Sequence, residues 1–156
     1  MKYQEYLTRV SLSNSEQISI SSADAKVAYE EVFKLRWMAT KLKIFSFLAY
    51  APKIDENIIS KYSKECLDYA LKNKKGLPRG WQNGIVSNNV LASETVTPEA
   101  IALVTSRPTK HYSAFEMPII YDLSNEVLSF YRGEIIWGKV YEKFIRDYIT
   151  DKFSFK

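Results

Sequence analysis

One cysteine and one histidine stand in a chain of 156 residues. Cys66 has no partner for an internal disulfide, which fits a reducing compartment. Cys66 and His111 together fall short of the four Cys/His ligands of a structural zinc site, so no metal and no cofactor is expected. Long apolar runs are missing too. The most apolar stretch, Ile44 to Ala51, is far shorter than the roughly 20 residues needed to span a bilayer. The opening Met1-Lys2-Tyr3-Gln4-Glu5-Tyr6 has no apolar core of the signal-peptide kind. A soluble cytoplasmic protein without a membrane span is expected.

Several catalytic signatures are also lacking. There is no GxxxxGK[ST] loop, no GxGxxG after a strand and no GxSxG turn. This argues against a P-loop NTPase, a dinucleotide-binding fingerprint and a serine-hydrolase elbow. A nuclease of the restriction-enzyme class needs an acidic residue and then an E-x-K or D-x-K triplet to hold a divalent metal. Glu116-Met117-Pro118 and Asp147-Tyr148-Ile149 do not supply that triplet, and Glu142-Lys143 and Asp151-Lys152 lack the spacer.

Glycine is scarce, and three of the five glycines crowd into Gly76-Leu77-Pro78-Arg79-Gly80-Trp81-Gln82-Asn83-Gly84. Such small residues let backbone approach a ligand closely. Gly76 and Pro78 also serve to end a helix, and Gly84 to begin a strand. What termination does not require is Arg79, Trp81 and Gln82, which with Lys75 are the candidate ligand or partner contacts.

Aromatics are plentiful: eleven Tyr, eight Phe and three Trp. They suit a packed core or an adhesive surface. The formal net charge of +4 is uneven, with 13 basic against 9 acidic residues up to Pro78 and 9 of each beyond it. Lys34, Arg36, Lys41 and Lys43, interleaved with Phe33 and Trp37, form the candidate nucleic-acid surface.

Residues 1–22 are read as a flexible or weakly ordered lead-in, serine-rich from Ser11, with Tyr6, Leu7 and Val10 as a short edge strand. Residues 23–156 are read as a single α/β domain. Ser21 or Ser22 caps a helix over about 23–40, carried by Ala25, Ala28, Val32, Leu35 and Ala39. Ile44 to Tyr50 is a buried strand. Asp55 caps a helix to about 73 with Ile58, Ile59, Tyr62, Cys66, Tyr69 and Ala70 as its stripe. A strand over 85–92 follows, weakened by Asn88 and Asn89. Thr97-Pro98 opens a short helix that Arg107-Pro108 ends. Residues 112–122 and 127–131 form a hairpin, and a final helix covers about 135–152. The expected fold is an α/β sandwich: a mixed sheet with helices packed on it, and a C-terminal hairpin followed by a helix.

His111 is the one imidazole, at the start of a strand, and is the candidate acid or base. Glu116 and Asp122 are the candidate carboxylates. They share a strand face, but six residues at about 3.3 Å each place them about 20 Å apart. Paired glycosidase carboxylates sit about 5–10 Å apart. Asp122 therefore reads as a turn residue.

Three readings result. The first is a non-catalytic interaction protein binding another macromolecule, a protein partner such as that of an immunity or accessory factor. The second is a small-anion-binding or hydrolase-like site built from the Gly76–Gly84 loop and His111. The third is a nucleic-acid-binding protein or nuclease-like domain.

Overall fold

The computed structural model describes residues 1–34, 37, 41–74, 83–111, 114–134 and 139–155. Seven strands form one mixed sheet in the order β1-β2-β3-β4-β6-β5, with β7 also paired to β6. The strands are β1 (Glu16–Ile20), β2 (Ala23–Phe33), β3 (Lys41–Tyr50), β4 (Asn83–Ser93), β5 (Lys110–His111), β6 (Ala114–Asp122) and β7 (Val127–Ser129). β1, β2 and β3 run as an antiparallel meander, while β3, β4 and β6 are mutually parallel neighbours. The helices are α1 (Tyr3–Arg9), α2 (Glu56–Asn73), α3 (Pro98–Thr105) and α4 (Lys139–Phe153). The expected α/β sandwich with a mixed sheet is the fold found.

α2 and α3 supply the two crossovers of the parallel strands, and both cover one face of the sheet. There Ile59, Tyr62, Cys66 and Ala70 of α2 and Ala100 and Val104 of α3 pack on Phe47, Ile85 and Ile120. α1 and α4 cover the other face, where Tyr6, Ile145, Ile149 and Phe153 pack on Ile44, Val90 and Tyr121. β3, covered on both faces, is buried from Leu42 through Ala49 and reads as a largely apolar run broken by Lys43 and Ser46. Asp55 caps α2 by accepting from the Ile58 amide at 2.9 Å, and Thr97 caps α3 by accepting from Ala100.

Three expectations need correction. Residues 23–33 form β2, not a helix. Ala25 and Val27 alternate inward on a pleated strand, and the pairing with β3 outweighs a stripe that also fits helical spacing. Ser21 and Ser22 are not a helix cap. With φ of 51° and 62° they form the two-residue turn of the β1–β2 hairpin, where positive φ at both positions matches the strand twist. Glu65 of α2 accepts from the Ser21 amide at 2.6 Å and ties the turn to the helix.

Residues 1–22 carry the helix α1 and the strand β1. Tyr6 and Leu7 lie on helix α1, not on an edge strand, and Tyr6 is fully buried. Its ring stacks on Tyr121 with centroids 3.8 Å apart. Its hydroxyl donates to the Phe153 carbonyl at 3.1 Å. The edge strand of this segment is β1, further along the chain.

Candidate functional site

Pro108 is the local cause of the site. It cannot continue α3 and pushes Arg107 out of helical geometry, so the chain leaves the helix at Ser106 and runs outward into β5. β5 pairs antiparallel with the start of β6, His111 opposite Ala114. Glu116 lies two residues further along the same face of β6, a diagonal reach open to long side chains. The His111 imidazole Nε2 and Glu116 Oε2 meet at 2.7 Å.

The second Glu116 oxygen is held from the opposite side. Ser63, on the buried face of α2, donates its hydroxyl to Glu116 Oε1 at 2.9 Å. Asn89 of β4 donates its amide to Ser63 Oγ at 2.8 Å and to the Ser63 carbonyl at 3.2 Å. Ser87 donates in turn to Asn89 Oδ1. Ser63, Ser87 and Asn89 are fully buried, while the side chains of Glu116 and His111 keep 13% and 29% exposure. Every member of this chain is satisfied, which makes a buried polar network rigid.

The outer end of the chain opens into a cleft of about 420 Å³ between α2, the α3–β5 connection and β6. Lys64, Asp68, Arg107 and Thr109 line it beside His111 and Glu116. Lys64 and Arg107 are exposed and form no salt bridge among the described residues. The volume suits a small ligand. No group of three or more metal-ligating side chains occurs among the described residues.

The sequence candidates fare unequally. His111 and Glu116 are brought together. Asp122 is not part of the site: its carboxylate accepts from the Ser124 and Asn125 amides at 2.9 and 3.0 Å and closes the β6–β7 turn. Lys75, Arg79, Trp81 and Gln82 lie outside the described residues, as does Arg36. β4 starts at Asn83, and its Ile85 pairs with Ala114, so β4 begins at the His111 end of the sheet. At Gly84 a Cβ would come within 2.8 Å of Leu42 Cδ2, so glycine there admits close strand packing.

The other basic candidates are engaged elsewhere. Lys34 sits over the rings of Trp37 and Phe144. Lys41 pairs with Glu31 at 3.2 Å. Lys43 is 2% exposed, and burial, with Lys74 nearby, pulls its ammonium below the ordinary lysine value. These three do not make one exposed basic stripe.

Ser63, Ser87, Asn89, Lys64 and Arg107 were not among the sequence candidates. The available signals were polar residues in apolar positions. Ser63 falls four residues after Ile59 on the stripe of α2, and two asparagines interrupt a central strand. No protein-family model, curated protein or solved structure matches this chain.

Proposed function

We propose that the cleft beside β6 is an acid–base site for a small anionic ligand. His111 is its proton-transferring group, Glu116 its orienting partner, and Arg107 and Lys64 the cations that attract the ligand. The observation that carries this reading is the 2.7 Å His111–Glu116 pair at the cleft wall, anchored from behind by Ser63. A carboxylate behind an imidazole fixes its orientation and stabilises the imidazolium formed when the ring takes a proton. In such a step the O–H bond of a bound water or hydroxyl breaks, an imidazole N–H forms, and the new positive charge faces Glu116. General-base assistance of this kind is worth about 10²–10⁴ in rate. This is the hydrolase-like alternative, with Arg107 in the role expected of Arg79.

The reading of a protein-binding factor has no comparable support. Phe33, Ile58 and Val127, the exposed large hydrophobics among the described residues, lie on three separate elements. Isolated exposed apolar residues are ordinary.

Titration with inorganic phosphate, followed by nuclear magnetic resonance at the single imidazole, tests the proposal. Millimolar phosphate should shift the His111 signals, and Arg107→Ala should weaken binding about tenfold, the usual worth of one charge-assisted contact. An imidazole indifferent to phosphate, with Arg107→Ala equally indifferent, overturns it.

A further inference from the structure

We infer that the buried chain Ser87–Asn89–Ser63–Glu116 donates in one direction and fixes His111 as its Nε2–H tautomer, so that the cleft selects a protonated oxyanion. The inference rests on the proposed acid–base site and names the ligand class that site accepts.

The direction is set by a backbone carbonyl. Asn89 faces Ser63 with one end of its amide, and that end contacts both Ser63 Oγ and the Ser63 carbonyl oxygen. A carbonyl oxygen only accepts, so the atom facing it is the NH₂. Asn89 Oδ1 then points to Ser87, whose hydroxyl donates to it. Ser63 Oγ already accepts the Asn89 proton, and its own proton is free to go to Glu116 Oε1. Glu116 thus receives a donor on Oε1 and presents Oε2 to the imidazole as a second acceptor.

An acceptor at 2.7 Å places the neutral ring's proton on Nε2. Nδ1 is left as the acceptor. It forms no hydrogen bond to a described residue and is not among the buried polar atoms without partners, so it keeps contact with solvent on a residue that lines the cleft. A ligand meeting Nδ1 must donate a hydrogen bond there while offering anionic oxygens to Arg107 and Lys64. Inorganic phosphate meets both requirements, because it keeps an O–H at neutral pH. Sulfate has the same shape and charge class but no O–H.

The chain contains one histidine, so its long-range ¹⁵N–¹H spectrum holds a single imidazole. At a pH where the ring is neutral, wild-type protein should show the Nε2–H pattern. Phosphate should bind at least about tenfold more tightly than sulfate, the ordinary penalty for leaving a polar group without its partner.

Glu116→Gln provides the sharper test. Ser63 still donates to the amide oxygen, so the amide NH₂ falls on the imidazole side and donates to Nε2. The ring should switch to Nδ1–H, and the preference for phosphate over sulfate should collapse. Adding Ser63→Ala frees the amide to rotate and should restore a share of Nε2–H.

An Nδ1–H or mixed ring in the wild-type protein overturns the inference, as does a Glu116→Gln ring that stays Nε2–H. Sulfate binding equal to phosphate removes the ligand selection. Failure of both anions to bind overturns the anion site itself, and the tautomer result still decides the direction of the chain.

Discussion

Lys152 on α4 donates to Glu30 on β2 at 2.7 Å across 122 residues of chain. Tyr148 donates to the other Glu30 oxygen at 2.6 Å and contacts Ser46 of β3 at 3.3 Å. This cluster pins the last helix to the sheet at β2 and β3.

The pair makes stability depend on pH. Burial alone would raise the Glu30 carboxyl, but hydrogen bonds from Lys152 and Tyr148 and the Lys152 charge outweigh it and hold the group below its ordinary value. A carboxyl depressed in the folded state adds stability above the ordinary carboxylate range and loses it as pH falls through the folded value. Urea midpoints should therefore fall between neutral pH and about pH 3, and Glu30→Gln should shrink that fall. The pair is partly exposed, so its loss should cost only about 1 kcal/mol at neutral pH. An unchanged acid response in Glu30→Gln would remove Glu30 from the account.

Tyr6 makes the first helix part of the core. Tyr6→Ala removes a fully buried ring stacked on Tyr121 and should cost about 3–5 kcal/mol. Tyr6→Phe keeps the ring and leaves the Phe153 carbonyl short of its donor, for about 1 kcal/mol. Thermal or urea denaturation of the two variants measures both. Equal, negligible losses would mean that α1 adds nothing to the folded state.

Cys66 should be silent in the native protein. It lies on the buried face of α2, and burial pushes its thiol well above the ordinary value, with the Tyr62 hydroxyl only partly opposing this. A disulfide exchange reagent at neutral pH should label it only as fast as the protein opens, and in urea labelling should follow unfolding. Rapid stoichiometric labelling without denaturant would contradict the burial.

The legible parts of the fold were those whose local and tertiary signals agree. Asp55 caps α2, Thr97-Pro98 opens α3, and Asp122 closes the β6–β7 turn as their local chemistry requires. β2 reads as a helix because Ala25, Ala28 and Val32 fall at helical spacing; on the strand Ala25 faces one side of the sheet and Ala28 and Val32 the other, and only pairing with β3 decides between the two. Ile59, Tyr62, Cys66 and Ala70 of the expected α2 stripe are buried, and the difference lies at its edges. Ile58 is 39% exposed, while Ser63 and Leu67 turn inward. Hydrophobicity cannot announce a buried serine whose purpose is a partner on another element. His111 and Glu116 could be named from residue type, but their meeting depends on the two-residue strand β5.

Asp122 and Glu116 should separate cleanly in experiment, although both are carboxylates on one face of β6. Asp122→Ala removes the acceptor for two turn amides and should cost about 1–2 kcal/mol, leaving the phosphate response of His111 intact. Glu116→Gln is nearly isosteric and should act on the imidazole first. A phosphate response lost in Asp122→Ala at temperatures where it remains folded would place the turn within the site.

Asn88 and Asn89 are neighbours on β4 with opposite prospects. Asn89 faces α2, and its amide is satisfied by Ser87 and Ser63. Asn88 faces the α4 side in register with Ser46 and Met117, and neither of its amide atoms has a hydrogen-bond partner among the described residues. A buried polar group without partners carries its full desolvation cost, whereas a satisfied one has exchanged water for protein. Asn88→Leu, which keeps the branched outline of the side chain, should therefore be neutral or stabilising. Asn89→Leu strands the Ser87 hydroxyl and removes a donor from Ser63, and should cost more than about 2 kcal/mol. Denaturation of the two variants side by side reads the difference directly: a large loss in Asn88→Leu would mean that its amide is held by ordered water between β4 and α4.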